Sequence, residues 1–127
     1  MVYTLTVHLT AKSDPECIRK LKNKLIEASR IYSKDKETVS SFITMHQVIS
    51  ISSHAHFTQV SWLVMQSVFD SREFTIVERY EKESSQQYHL SNPYWKTFDP
   101  YVLPLLEKPM DLRRYEELDT SKDVQVD

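Results

Sequence analysis

Residues 73–98 read EFTIVERYEKESSQQYHLSNPYWKTF, and the architecture follows from them. The first nine, EFTIVERYE, have the β-branched and aromatic content of a strand. KESSQQYHLSN then reads as a short helix, and Asn92 with Pro93 starts a second helix through YWKTFDPYVLPLLE. Pro100 and Pro104 limit or bend that helix, since proline lacks the N–H a helix interior needs. Upstream, SWLVMQSVF is a strand joined to EFTIVERYE by the short connection DSR. Downstream, KPMDLRRYEEL is extended, with Met110, Leu112 and Arg114 on one side.

The N-terminal part supplies the other two elements. In VYTLTVHLT, Tyr3, Leu5, Val7 and Leu9 share one face and Thr4, Thr6, His8 and Thr10 the other, the period of a strand. In SDPECIRKLKNKLIEASRIY, Asp14 is the N-cap and Pro15 the first helical residue, while Ile18, Leu21, Leu25, Ala28 and Tyr32 recur at helical spacing. Leaving out residues 39–60, the order is β-α-β-β-α-β. This predicts an α+β, ferredoxin-like domain with a four-stranded antiparallel sheet. Helices on one face leave the other face to be covered, and a homodimer is the simplest cover.

Composition excludes several functions. At 127 residues the chain is one domain's worth. The formal net charge of −2 lacks the basic footprint that neutralises phosphates, so neither nucleic acid nor a membrane surface is expected as a partner. The chain contains no glycine, which disfavours phosphate-cradling loops, dinucleotide fingerprints and the nucleophile elbow of a hydrolase. A single cysteine, Cys17, suits a reducing compartment; cytoplasm is expected, with no targeting signal and no run near the ~18 apolar residues of a membrane span.

Residues 74–98 resemble the signature of the antibiotic biosynthesis monooxygenase (ABM) family of dimeric α+β barrels. There a strand ending in Glu, any residue and an aromatic leads to a helix with His-Leu, then a proline and two bulky residues. Glu78, Tyr80, His89, Leu90, Pro93, Tyr94 and Trp95 stand at those positions. The resemblance covers residues 2–118 apart from the middle segment, followed by a polar tail at 119–127. It implies a small monooxygenase oxidising a phenolic, quinol or anthrone-type aromatic, as in polyketide tailoring, with molecular oxygen as co-substrate and no bound cofactor or metal. A decarboxylase, cyclase or isomerase on the same scaffold, or a non-catalytic dimeric binding module, are the alternatives.

The same resemblance points to His89 as the general base, a residue type that titrates near neutral pH. Trp95, Tyr94 and Phe98, with Tyr88, form an aromatic wall suited to a flat ring, although such spacing also suits a core. His8 on the polar face of the first strand and Arg113 on the last are further candidates for binding substrate or steadying an oxyanion. Glu78 reads as a strand carboxylate that anchors a neighbour. The family's haem-degrading branch is disfavoured: His89 stands at its Trp position, Asp99 at its His position, and the first strand has no Asn.

The segment VSSFITMHQVISISSHAHFTQ, residues 39–59, interrupts a short helix-to-strand connection that KDKET running into VSWLVMQ reproduces. His46, His54 and His56 invite a metal site, but the segment offers no Cys, Asp or Glu to complete one. A second reading is a lid or added hairpin, because FITMHQVISI and HFTQVSWLV have strand propensity. A third is a translated intron: Val39-Ser40 is encodable as GTGAGT, like a splice donor, and Gln59 as CAG, like an acceptor. Transcript reads lacking these codons are the expected outcome of the third reading; reads that uniformly retain them eliminate it.

Overall fold

The computed structural model describes residues 2–45, 61–80 and 93–127, with the side chains of the first helix described up to residue 32. The described elements are β1 (Tyr3–Thr10), α1 (Pro15–Met45), β2 (Ser61–Gln66), β3 (Glu73–Tyr80), α2 (Trp95–Val102) and β4 (Asp111–Glu116). The sheet has the order β2-β3-β1-β4 with antiparallel neighbours throughout. β1 is therefore central, and its residues from Tyr3 to His8 are flanked from both sides. Leu5 stands between Glu78 and Arg114, Val7 between Ile76 and Leu112, and His8 between Thr75 and Asp111. This is the expected α+β, ferredoxin-like sheet.

Alternation along β1 sends Leu5, Val7 and Leu9 to the face covered by helices. Leu21, Leu25, Ala28 and Tyr32 of α1 and Phe98 and Val102 of α2 form one core cluster with Val7, Leu9, Trp62, Phe74 and Ile76. Each Leu, Val, Ile or Phe among them contributes about 1.5–3 kcal/mol when it leaves water. The opposite face carries Leu63, Met65 and Tyr115, all close to half exposed.

Element ends depart from the sequence reading in four places. β2 stops at Gln66, and Ser67 to Arg72 form the hairpin connection, because the Ser67 hydroxyl accepts from the N–H groups of Phe69 and Asp70 and turns the chain early. α2 starts at Trp95 with Tyr94 as N-cap, not at Asn92, and the Tyr94 carbonyl accepts from Thr97 and Phe98. The proline pair acts as expected in one position only: Pro100 is accommodated within α2, whereas Pro104 lies in a separate 3-10 turn, Leu103–Leu105. α1 runs on through Met45, past the expected connection at KDKET and into the first seven residues of the atypical segment. The stretch after Pro15 contains neither glycine nor proline, and Lys34, Lys36 and Glu37 are good helix formers, so nothing there stops the helix. The strand propensity of FITM is overridden. The short helix expected over residues 82–92 and residues 46–60 lie outside the described residues.

Beyond β4 the chain is tied back at Glu117, whose N–H donates to the Val2 carbonyl at 2.9 Å. Glu117 accepts two parallel hydrogen bonds from the Arg79 guanidinium, at 2.7 and 2.9 Å, and another from the Thr4 hydroxyl. Those bonds hold its carboxyl down to about 2. A lowered carboxylate stabilises the fold above its ordinary value and loses that contribution as pH falls through about 2. Glu117→Gln is expected to flatten this acid limb in thermal melts followed by circular dichroism from neutral pH downward. Phe98→Ala, by contrast, empties a core position that is 1% exposed and is expected to cost about 3–5 kcal/mol in urea denaturation at any pH.

Candidate functional site

β3 carries Phe74, Ile76, Glu78 and Tyr80 on its helix-facing side, so a carboxylate occupies one position of an otherwise apolar and aromatic row. Glu78 is 4% exposed, paired across the sheet with Leu5 on β1 and Trp62 on β2. The Tyr80 hydroxyl, two residues on and fully buried, donates to Glu78 Oε1 at 2.7 Å. Burial pushes the Glu78 carboxyl above its ordinary range, while hydrogen bonds from Tyr80 and Trp62 act in the opposite sense. Burial and the neighbouring Glu78 push the Tyr80 hydroxyl up as well. Burial thus shifts both groups toward their protonated forms, and the two lie side by side.

Aromatic rings gather beside this pair. The helical spacing of Leu21, Leu25, Ala28 and Tyr32 aims Tyr32 at the sheet, where its ring centroid lies 4.8 Å from that of Trp62. From α2, Trp95 lies 5.5 Å from Tyr32, and Tyr94 meets it edge-on at 5.6 Å. Phe98, one helical turn beyond Tyr94, packs edge-on to Trp95 at 5.1 Å. At the solvent side the Tyr94 hydroxyl donates to Glu27 at 2.6 Å, and Lys24 pairs with Glu27 at 2.8 Å while resting over the rings of Tyr94 and Tyr101. Burial, then Glu27, raises the Tyr94 hydroxyl.

The candidates from the sequence fall into three groups. Trp95, Tyr94 and Phe98 come together as one wall, with Phe98 in the core and the other two partly buried against it. His8 and Arg113 lie on the opposite face of the sheet: His8 Nδ1 is 3.0 Å from the Thr75 hydroxyl, and Arg113 pairs with Asp111 at 3.0 Å. They do not meet the aromatic wall. His89, with Tyr88, is outside the described residues. The parts played by Tyr32 and Trp62, and the burial of Glu78 beside Tyr80, escaped the sequence reading. The available signal was the alternation of EFTIVERYE, which puts Glu78 on the same side as Phe74 and Ile76.

Among the described residues no three His, Cys, Asp or Glu side chains are grouped to hold a metal ion; His46, His54 and His56 are outside them. The described aromatic rings pack against one another at centroid distances of 4.8–6.1 Å. Among the described residues, a cavity of about 120 Å³ lies between α1 and β2 and another of about 500 Å³ beside Val2 and residues 117–121. Among the described residues, no helix is long and apolar enough to cross a membrane.

No protein-family model matches the chain, and no curated protein matches it. Solved structures do. A conserved protein from Methanosarcina mazei is 15% identical with a TM-score of 0.67, over 93% of this chain and 94% of that one. A Deinococcus radiodurans protein provisionally named an antibiotic biosynthesis monooxygenase is 14% identical with a TM-score of 0.64, over 98% and 100%. A Nitrosomonas europaea protein with the same provisional name is 14% identical with a TM-score of 0.64, over 95% and 94%. At these identities the likeness establishes architecture, and the chain has the fold of the structures named antibiotic biosynthesis monooxygenases.

Proposed function

We propose that the chain is a cofactor-independent monooxygenase that oxidises a phenolic, quinol or anthrone-type aromatic with molecular oxygen. The observation that carries this reading is the buried Glu78–Tyr80 pair beside the wall of Tyr32, Trp62 and Trp95. An electron-rich aromatic anion reduces oxygen itself, so the protein has to remove one proton, hold the ring and return a proton to oxygen. His89, placed by its motif after β3, is the base; Trp95 and Tyr94 hold the ring. For an anthrone, His89 takes a proton from the ring CH₂, and the carbanion and oxygen form a C–O bond. Glu78 protonates the distal peroxide oxygen. Loss of the second C–H proton with O–O cleavage releases water and leaves the carbonyl, so one oxygen atom ends in product and one in water.

The homodimer belongs to the same reading. Leu63, Met65 and Tyr115 on the open sheet face are 52%, 48% and 47% exposed, and a second copy covers them. The mutual packing of the aromatic rings favours a second reading, a dimeric binding module without turnover.

Protein-dependent oxygen consumption with reduced quinols and anthrones tests the proposal. Its absence across both classes leaves the binding module, whereas turnover under strict anaerobiosis points to a decarboxylase, cyclase or isomerase. Glu78→Gln preserves shape and still accepts from Tyr80, and it is expected to lower kcat about 100-fold with KM little changed. The variant also has a signature in stability. With the carboxyl raised by burial, stability is full below its ordinary value and declines as pH rises through the raised one. Thermal melts of Glu78→Gln should lack that decline.

A further inference from the structure

The β2–β3 hairpin ends in two large apolar side chains that touch almost nothing: Val68 is 90% exposed and Phe69 97%. Their backbone is nonetheless held in place. Ser67 Oγ accepts from the N–H groups of Phe69 and Asp70 at 3.1 and 3.2 Å, and Ser67 N–H donates to the Glu73 carbonyl at 2.9 Å. Glu73 N–H donates to the Asp70 carbonyl at 3.0 Å, and Gln66 Nε2 to that of Ser71 at 2.8 Å. Arg72 anchors the base of the turn to the Ala11 carbonyl and to Glu107, each at 2.9 Å. A turn so fixed has little further ordering to undergo when its tip is covered.

The same chain carries a matching recess. Between α1 and β2, Leu25, Ile26, Val64, Met65 and Phe74 line an apolar groove of about 120 Å³, with Lys22 and Gln66 also contributing to its lining. An apolar cavity of roughly 150 Å³ accommodates a benzene ring, so the groove has the size of one aromatic side chain. Charge matches as well: Lys22 is exposed at the groove, and Asp70 is exposed beside Phe69. Met65 borders the groove and, with Leu63, belongs to the open sheet face.

We propose that the Val68–Phe69 tip seats in the α1–β2 groove of a second copy of this chain, with Asp70 facing Lys22, and that the contact is reciprocated about a twofold axis. The proposal rests on the homodimer reading above and names the segment that locks it. Each chain offers one ring and one ring-sized groove, the self-complementarity that a closed twofold pair requires. Docking also shields β2, an edge strand of the sheet.

The test is sedimentation equilibrium on the full chain, wild type against Phe69→Ser and Ile26→Glu, with circular dichroism to check the fold. Both substituted residues are solvent-facing and neither belongs to the proposed catalytic machinery. Burying two rings per dimer predicts that Phe69→Ser raises the dimer dissociation constant about 100-fold or more, and Ile26→Glu is expected to do the same, with unchanged spectra. A wild-type dimer with Phe69→Ser equally tight overturns the tip contact while leaving the homodimer standing. Weakening by Phe69→Ser but not by Ile26→Glu overturns the groove as its seat. A wild-type monomer removes both the contact and the homodimer, and open-ended chains in place of dimers overturn the twofold closure. None of these outcomes depends on turnover, so the oxygenase reading stands or falls separately.

Discussion

The Tyr32 ring is the joint on which three elements depend. It meets Trp62 from β2 and both Tyr94 and Trp95 from α2, and it is completely buried. Among the described residues Tyr32 is the aromatic contact of α1 with the sheet, and α2, only eight residues long, has too little length to hold itself. Geometry matters as much as area. Tilted and edge-on contacts near 5 Å use the ring quadrupole and hold the rings at fixed mutual angles. The wall beside Glu78 is therefore set by the packing of the core, and the proposed site and the core share the same side chains.

Much of this was legible in the chain. Period-two alternation in VYTLTVHLT assigned Leu5, Val7 and Leu9 to the covered face, and Asp14 with Pro15 marked the start of α1, where Asp14 accepts from the Glu16 N–H. What was not legible depended on competition between neighbours. Strand propensity in FITM lost to the continuation of a helix with nothing to end it, and Asn92 lost the capping position to Tyr94. Side-chain hydroxyls and carbonyls close turns at a particular residue, and local propensity does not rank those alternatives.

The candidate site was half legible for a different reason. Tyr94, Trp95 and Phe98 were visible as a cluster because helical spacing is a local property, whereas Tyr32 and Trp62 join them through contacts across 30 or more positions of the chain. His8 and Arg113 attracted notice by chemical type, yet strand parity puts them behind the sheet. Glu78 shows the converse. Its identity suggests a surface anchor, and only its burial beside Tyr80 shifts its carboxyl toward the protonated form.

The glycine-free hairpin has a consequence outside the folded state. A tight connection usually obtains its backbone freedom from glycine, and a chain with that freedom loses it again on folding. Here Ser67 and Asp70 close the turn with side-chain acceptors, and no residue in the whole chain is a glycine. The denatured ensemble is correspondingly narrower, so part of this fold's margin of stability resides in conformations the unfolded chain never visits.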